Sequence, residues 1–248
     1  MIEYNWILKL KGVKFLIKYK RILLKLSGEA LAGENKNGID PKIVDEICLR
    51  IKKLVDKKVQ VGIVVGGGNF WRGRSAENME KTTADYIGML ATAMNGLAVH
   101  DALEKIGVKA KVESAINIDG VIDEVNVIKT EEYLNNGEVV IFVCGTGHPF
   151  FTTDTAAILR AIEIKADVIL LGKSIDGVYS ADPKVDKNAI KYDEITFDEV
   201  LEKNLKVVDL TATALCKEHD IPILLFGICK PDNILKAALG EKVGTLVK

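Results

Sequence analysis

Six apolar runs constrain the fold more than any other feature of the chain. RILLKL (21–26), VQVGIVV (59–65), AKVESAI (110–116), EVVIFVC (138–144), DVILL (167–171) and IPILLF (221–226) are rich in Val, Ile and Leu and nearly unbroken by polar residues. A strand covered on both faces reads this way, whereas a strand with one wet face alternates. Between the runs lie stretches of helical pattern. One starts at Pro41 behind Asp40 and ends near Lys57; another runs from Ala84 to Ile106 and is stopped by Gly107. Further helices are expected from Asp154 to Lys165, from Thr211 to His219, and from Pro231 to Leu239 with Gly240 as its cap. Strands alternating with helices imply right-handed crossovers. The expectation is an α/β protein, a three-layer αβα sandwich around a mainly parallel central sheet.

Length and charge narrow the function. The 248 residues are 48% hydrophobic, enough for one sizeable core, and no repeat or linker divides residues 21–248. With 34 basic against 35 acidic residues the net charge is -1. Nucleic acid is therefore not expected as a bulk partner, and any phosphate recognition must be local. Cys48, Cys144, Cys216 and Cys229 form no C-x-x-C pair and the three histidines are scattered, which speaks against a zinc site or a disulfide framework. The expected setting is reduced and cytoplasmic.

Residues 1–20 form an N-terminal extension. Five Lys interrupt its apolar residues, so no span approaches the roughly 20 apolar residues of a membrane helix, and no membrane is expected as a partner. Trp6, Leu10, Val13 and Ile17 would share one face of a helix suited to a surface or a partner. Gly12 and the alternation from Val13 to Tyr19 favour instead a poorly ordered or accessory extension.

In parallel sheets, ligands sit beyond the carboxyl ends of the strands. Four such ends here carry phosphate-binding chemistry. The first strand leads into KLSGEAL, with Lys25, Ser27 and Gly28; the second into GGGNFWRG, Gly66 to Gly73; the fourth into CGTGHPFFTTD; the fifth into GKSIDGVYSADP, Gly172 to Pro183. Consecutive glycines let backbone N–H groups converge on an anion, and a helix start adds partial positive charge. Lys25 and Arg72 bring full charges, and Thr146, Thr152 and Thr153 bring hydroxyls. Each signal alone fits an ordinary turn, a snorkelling lysine or a helix cap; four together do not. The G-x-x-x-x-G-K-[ST] string is absent, as is G-x-G-x-x-G after the first strand, which disfavours P-loop and Rossmann binders.

KLSGEAL, GGGNFWRG, DYIGMLATAMNGLA, GTGHPFFTTDTAAILRA and DGVYSADP, in unbroken order from Arg21 to Lys248, resemble the bacterial uridylate kinases of the amino acid kinase superfamily. The resemblance implies the amino acid kinase fold and the reaction of ATP with UMP to ADP and UDP, with Mg²⁺ bound with ATP. It also implies a cytoplasmic homohexamer of pyrimidine biosynthesis, with activation by GTP and inhibition by UTP. By resemblance, Lys25, Leu26, Ser27, Gly28, Gly68, Arg72, Lys173, Tyr179 and Asp182 contact ATP. Gly67, Asp85, Thr146, Gly147, His148, Pro149, Phe150, Phe151, Thr152 and Thr153 contact UMP, and Lys25, Arg72 and Asp154 form the catalytic centre. Asp154 would orient Lys25 or hold a metal-bound water; as a residue type in this place it also suits a helix cap. Two positions depart from the common pattern: His148 stands where the family usually has Asn, and Lys173 where Thr often stands. No metal ligands are expected from the protein.

Other readings remain open from the residues alone. A catalytically silent nucleotide sensor on the same fold, a carboxylate kinase of the same superfamily and, more distantly, an oxidoreductase share parts of the pattern. Cys144, ending a buried run, reads as a small core residue rather than a nucleophile.

Overall fold

The computed structural model describes residues 6–10, 13–35, 37–71, 78–205 and 207–248. Its strands are β1 (Trp6–Leu10), β2 (Val13–Ile17), β3 (Arg21–Leu26), β4 (Gln60–Val65), β5 (Ala110–Ser114), β6 (Asp123–Glu124), β7 (Val139–Val143), β8 (Val168–Lys173), β9 (Glu194–Ile195), β10 (Ile223–Gly227) and β11 (Thr245–Val247). Its helices are α1 (Gly28–Ala32), α2 (Pro41–Asp56), α3 (Lys81–Lys105), α4 (Val127–Asn135), α5 (Thr153–Glu163), α6 (Phe197–Glu202), α7 (Leu210–Glu218) and α8 (Asp232–Ala238).

All six apolar runs are strands of one nine-stranded sheet, ordered β6-β5-β7-β4-β3-β8-β10-β11-β9. Neighbours pair in parallel except β10 and β11, which are antiparallel. Alternation along each strand divides the core into two layers. Ile22, Leu24, Ile63 and Ile141 pack with Ile47 and Ile51 of α2, Leu103 of α3 and Ile234 of α8. Leu23, Val64, Phe142 and Ile169 pack on the other face with Ile158 of α5 and Ala212 of α7. The three-layer sandwich follows from this two-sided burial.

Helix starts follow local chemistry. Asp40 caps α2 by accepting from the Lys42 N–H, with Pro41 at the first turn. Thr196 and Glu199 form a reciprocal capping box at α6. Within the extension, β1 and β2 pair antiparallel, Trp6 opposite Ile17. The backbone thus follows the alternation there, and the helical face considered for Trp6, Leu10, Val13 and Ile17 does not form. No helix among the described residues is long and apolar enough to cross a membrane.

Strand parity also places charge. Lys25 has the parity of Leu23, and Lys173 that of Ile169 and Leu171, so both project toward the α5 layer. β3 and β8 are adjacent, with Lys25 opposite Leu171, so the two lysines lie diagonally across a strand pair at its carboxyl end.

Candidate active site

At the carboxyl ends of β3 and β8 the two lysines meet one carboxylate. Lys25 Nζ lies 2.7 Å from Asp154 Oδ1, and Lys173 Nζ lies 3.4 Å from Asp154 Oδ2. Lys173 also donates to the Val207 carbonyl on the segment joining α6 to α7. Burial pushes the Asp154 carboxyl up, but Lys25 and Lys173 outweigh it and hold the group below its ordinary value. Burial depresses Lys173, Asp154 opposes that shift and Lys25 adds to it, leaving the ammonium below its ordinary value. Two ammonium groups face the one Asp154 carboxylate, and Asp209 is the next negative charge acting on Lys173.

Asp154 reaches this position from the first turn of α5. Thr152 caps that helix, its Oγ1 accepting from the N–H groups of Asp154 and Thr155 at 3.1 and 3.2 Å. The Thr152 hydroxyl donates in turn to Asp209, which also accepts from Thr155 Oγ1 and caps α7 through the Ala212 N–H. One carboxylate therefore fastens two helix starts together. Asp209 was not among the residues singled out from the sequence; the DLTA string at 209–212 is an ordinary cap signal, and its partners lie 54 and 57 residues away.

Beside the cluster is a cavity of about 430 Å³. Gly67 and Gly68 line it from the loop after β4, Asp85 from α3, and Thr146, Phe151, Thr152 and Thr153 from the loop after β7. Glu29, Trp71, Ala84, Gly88, Met89, Thr92 and Gly145 complete the wall and were not assigned to it from the sequence. Gly67 is required there, because a Cβ would lie 2.7 Å from the Gly88 carbonyl oxygen and 2.9 Å from the Ala91 Cβ. Gly28 is required for the same reason: its Cβ would meet the Gly68 N at 2.7 Å, so the loops after β3 and β4 touch backbone to backbone.

Buried polar residues fix these loops. Asn69 and Asn95 exchange amide hydrogen bonds of 2.9 and 2.7 Å, and their remaining amide hydrogens go to the carbonyls of Gly38 and Gly66. Thr92 donates to the Met89 carbonyl and accepts from the Cys144 N–H at 2.6 Å, tying α3 to the end of β7. The GMLAT-x-x-N string thus serves as a frame for the cavity. Asp85 accepts from the Phe150 N–H at 2.8 Å and holds Phe150 at a φ of 73°. Burial pushes the Cys144 thiol up, in keeping with a core residue.

Some expected site residues lie apart. Gly147, His148 and Pro149 follow Thr146 on the same loop but do not line the cavity, and His148 is exposed. Phe150 lines a neighbouring cavity of about 470 Å³, which shares Phe151 and Thr152 with the first. Leu26 is fully buried, while Ser27 caps α1 by accepting from the Ala30 N–H at 3.2 Å. Tyr179 and Asp182 lie on the loop after β8. Tyr179 donates to Asp176 at 2.8 Å, and Asp182 shapes a turn by accepting from the N–H groups of Lys184 and Val185. Arg72 lies outside the described residues.

Known proteins resemble this chain in sequence and fold. The profile of the amino acid kinase family matches residues 20–227. A uridylate kinase of Pseudomonas paraeruginosa is 54% identical over 233 residues, covering 93% of this chain and 95% of that protein. Among solved structures, the UMP kinase of Bacillus anthracis matches with a TM-score of 0.90 at 37% identity, over 93% of this chain and 96% of that one. The UMP kinase of Ureaplasma parvum matches with a TM-score of 0.88 at 42% identity, over 92% of this chain and 98% of that one.

Proposed function

The chain belongs to the amino acid kinase family and, within it, to the uridylate kinases, and from that premise we propose how its residues move a phosphoryl group from ATP to UMP. It is a nucleoside monophosphate kinase. The observation that carries the residue-level reading is the Lys25–Asp154–Lys173 cluster beside a cavity walled by glycines and hydroxyls.

The acceptor explains why this set suffices. The second pKa of a phosphate monoester is about 6, so UMP arrives mostly as a dianion and its attacking oxygen needs no general base. The obstacle is repulsion between two anions, together with charge spread over the transferred group. Catalysis then rests on positioning and on fixed positive charge. Lys25, oriented by Asp154, supplies charge at the end of β3. Arg72 is assigned the same task between the two phosphates. Gly28 and Gly68 give close approach to the ATP phosphates, Tyr179 and Asp182 the adenosine side, and the cavity from Gly67 to Thr153 the UMP side. Gly147, His148, Pro149 and Phe150, which do not line that cavity, are assigned to the UMP side on the family resemblance.

Mg²⁺ enters this reading as part of the MgATP substrate. Asp154 has an ammonium group on each oxygen and is not placed as a donor to a resident cation. Among the described residues no cluster of three His, Cys, Asp or Glu could hold a metal ion. The ion neutralises phosphate charge; the residues named above orient the nucleotides.

The uracil preference would come from fixed backbone N–H donors of the loop after β7, since the threonine hydroxyls beside them can donate or accept and serve either base. Uracil presents a carbonyl and N3–H where cytosine presents an amino group and a bare acceptor. A pocket satisfied by uracil leaves unpaired groups with cytosine, at about 1–3 kcal/mol each. Steady-state kcat/KM for UMP, CMP and dUMP at fixed MgATP tests this. UMP should exceed CMP by roughly 10²-fold; comparable values would overturn the uracil reading. Turnover of acetylglutamate or aspartate instead would move the enzyme to the carboxylate kinases. A cytoplasmic homohexamer activated by GTP and inhibited by UTP completes the proposal, supported by the family resemblance. Sizing in solution and initial rates with each nucleotide test those parts.

A further inference from the structure

We infer that Lys173 is a positioning residue of the phosphoryl-transfer centre, holding the Asp154 carboxylate from the oxygen that Lys25 leaves and tying it to the segment between α6 and α7. This rests on the proposed kinase reading and goes beyond the ATP contact that the resemblance gives Lys173. Three observations carry it. Lys173 is the last residue of β8 and has the parity of the α5 layer, so its side chain runs under α5 rather than outward with the loop that bears Tyr179. Its ammonium lies 3.4 Å from Asp154 Oδ2 while Lys25 takes Oδ1, so the carboxylate is gripped at both oxygens. The same ammonium donates to the Val207 carbonyl, two residues before Asp209, and Asp209 fastens Thr152, the cap of the helix that begins with Thr153 and Asp154.

The consequence concerns Lys25. A lone carboxylate beside a lone lysine can rotate with it. A carboxylate fixed at both oxygens presents one geometry, and Lys25 is then aimed at one point. The groups facing Lys173 are Lys25 from β3, Asp154 from α5 and Asp209 at the start of α7. Burial and Lys25 hold its ammonium below the ordinary lysine value, against the pull of Asp154. Its deprotonation should therefore appear as an alkaline decline in kcat below the roughly 10.4 of an unperturbed lysine.

The test is the pH profile of kcat, with KM for UMP and for MgATP, in wild type, Lys173→Met and Lys173→Arg. Lys173→Met should lower kcat on the order of tenfold or more, less than removal of a direct phosphoryl contact. KM for UMP should stay within about threefold, and the alkaline decline should move upward. Lys173→Arg, whose guanidinium does not titrate in this range, should move the decline upward relative to its own maximum. An unchanged kcat in folded Lys173→Met, or a decline in Lys173→Arg at the wild-type pH, would overturn the assignment. If Lys173→Met does not fold, the normalised Lys173→Arg profile decides alone. The wild-type preference for UMP, read in the same assay, tests the kinase reading separately from these ratios.

Discussion

Two carboxylates on the same face of the sheet are taken out of water, and they are treated in opposite ways. Asp154, at the start of α5, has an ammonium on each oxygen and is held below its ordinary value. Glu113, on β5 near the sheet edge, is 2% exposed. Burial raises its carboxyl, and the Thr130 hydroxyl, the Asn126 backbone and Arg160 only partly oppose that. Arg160 is itself paired with Glu163 at 2.5 Å. Burial alone therefore says little about function. The partner charges separate a carboxylate kept ionised between two lysines from one held near a sheet edge by hydrogen bonds.

The largest expected effect comes from breaking the charged site. Lys25→Ala should lower kcat by about 10²–10³-fold. Lys173 remains on the other Asp154 oxygen, so the chain should stay folded, with a cooperative thermal transition. A folded Lys25→Ala enzyme with near-wild-type kcat would show that the cluster is structural, as at Glu113.

Stability against pH sharpens the contrast. Because the folded value of Asp154 is lowered, its contribution is complete above the unfolded value of 3.8 and is lost as pH falls through the lowered value. Asp154→Asn places an amide between two ammonium groups and should cost about 1–3 kcal/mol at pH 7. The gap in Tm to wild type should close only under strongly acidic conditions. Glu113 has the opposite sign. Its folded value is raised above 4.5, so the benefit of the neutral acid is full below 4.5 and declines as pH rises through the raised value. Glu113→Gln keeps the shape without the charge. Its Tm should lose this pH dependence, equal or exceed that of wild type near pH 7, and leave kcat within about twofold. A Glu113→Gln enzyme that loses kcat while keeping its Tm would erase the distinction between the two carboxylates.

The strands were legible because burial on both faces leaves unmistakable runs of Val, Ile and Leu, and β3, β4, β5, β7, β8 and β10 fall on the expected segments. The helices α4 and α6 were not, because both are short and carry many charged residues, as in VIKTEEYLN and FDEVLE. The glycine-rich strand ends could be read as anion chemistry from residue type alone. Their frame could not: Asn69 with Asn95, and Asp209 with Thr152, become partners only when distant segments pack. Lys173 marks the same limit. Resemblance gives it only as an ATP contact; the end of β8 falls two residues later than the apolar run, and strand parity turns its side chain to Asp154, which residue type alone did not indicate.

His148 extends the comparison to a titratable group that is not buried at all. It lies on an exposed part of the loop after β7. What the loop uses is its backbone: the His148 N–H donates to Thr146 Oγ1 at 3.3 Å, and its carbonyl accepts from the same hydroxyl at 3.2 Å. Asparagine supplies both groups equally well. The acceptor phosphate needs no base, so the imidazole has no proton to take. His148→Asn should keep kcat/KM for UMP within about threefold. Its ratio to wild type should stay flat between about pH 6 and pH 8, where an imidazole would register. A collapse in rate, or a ratio that changes across that range, would make the imidazole a participant and would show that an exposed group can matter here as much as the buried cluster.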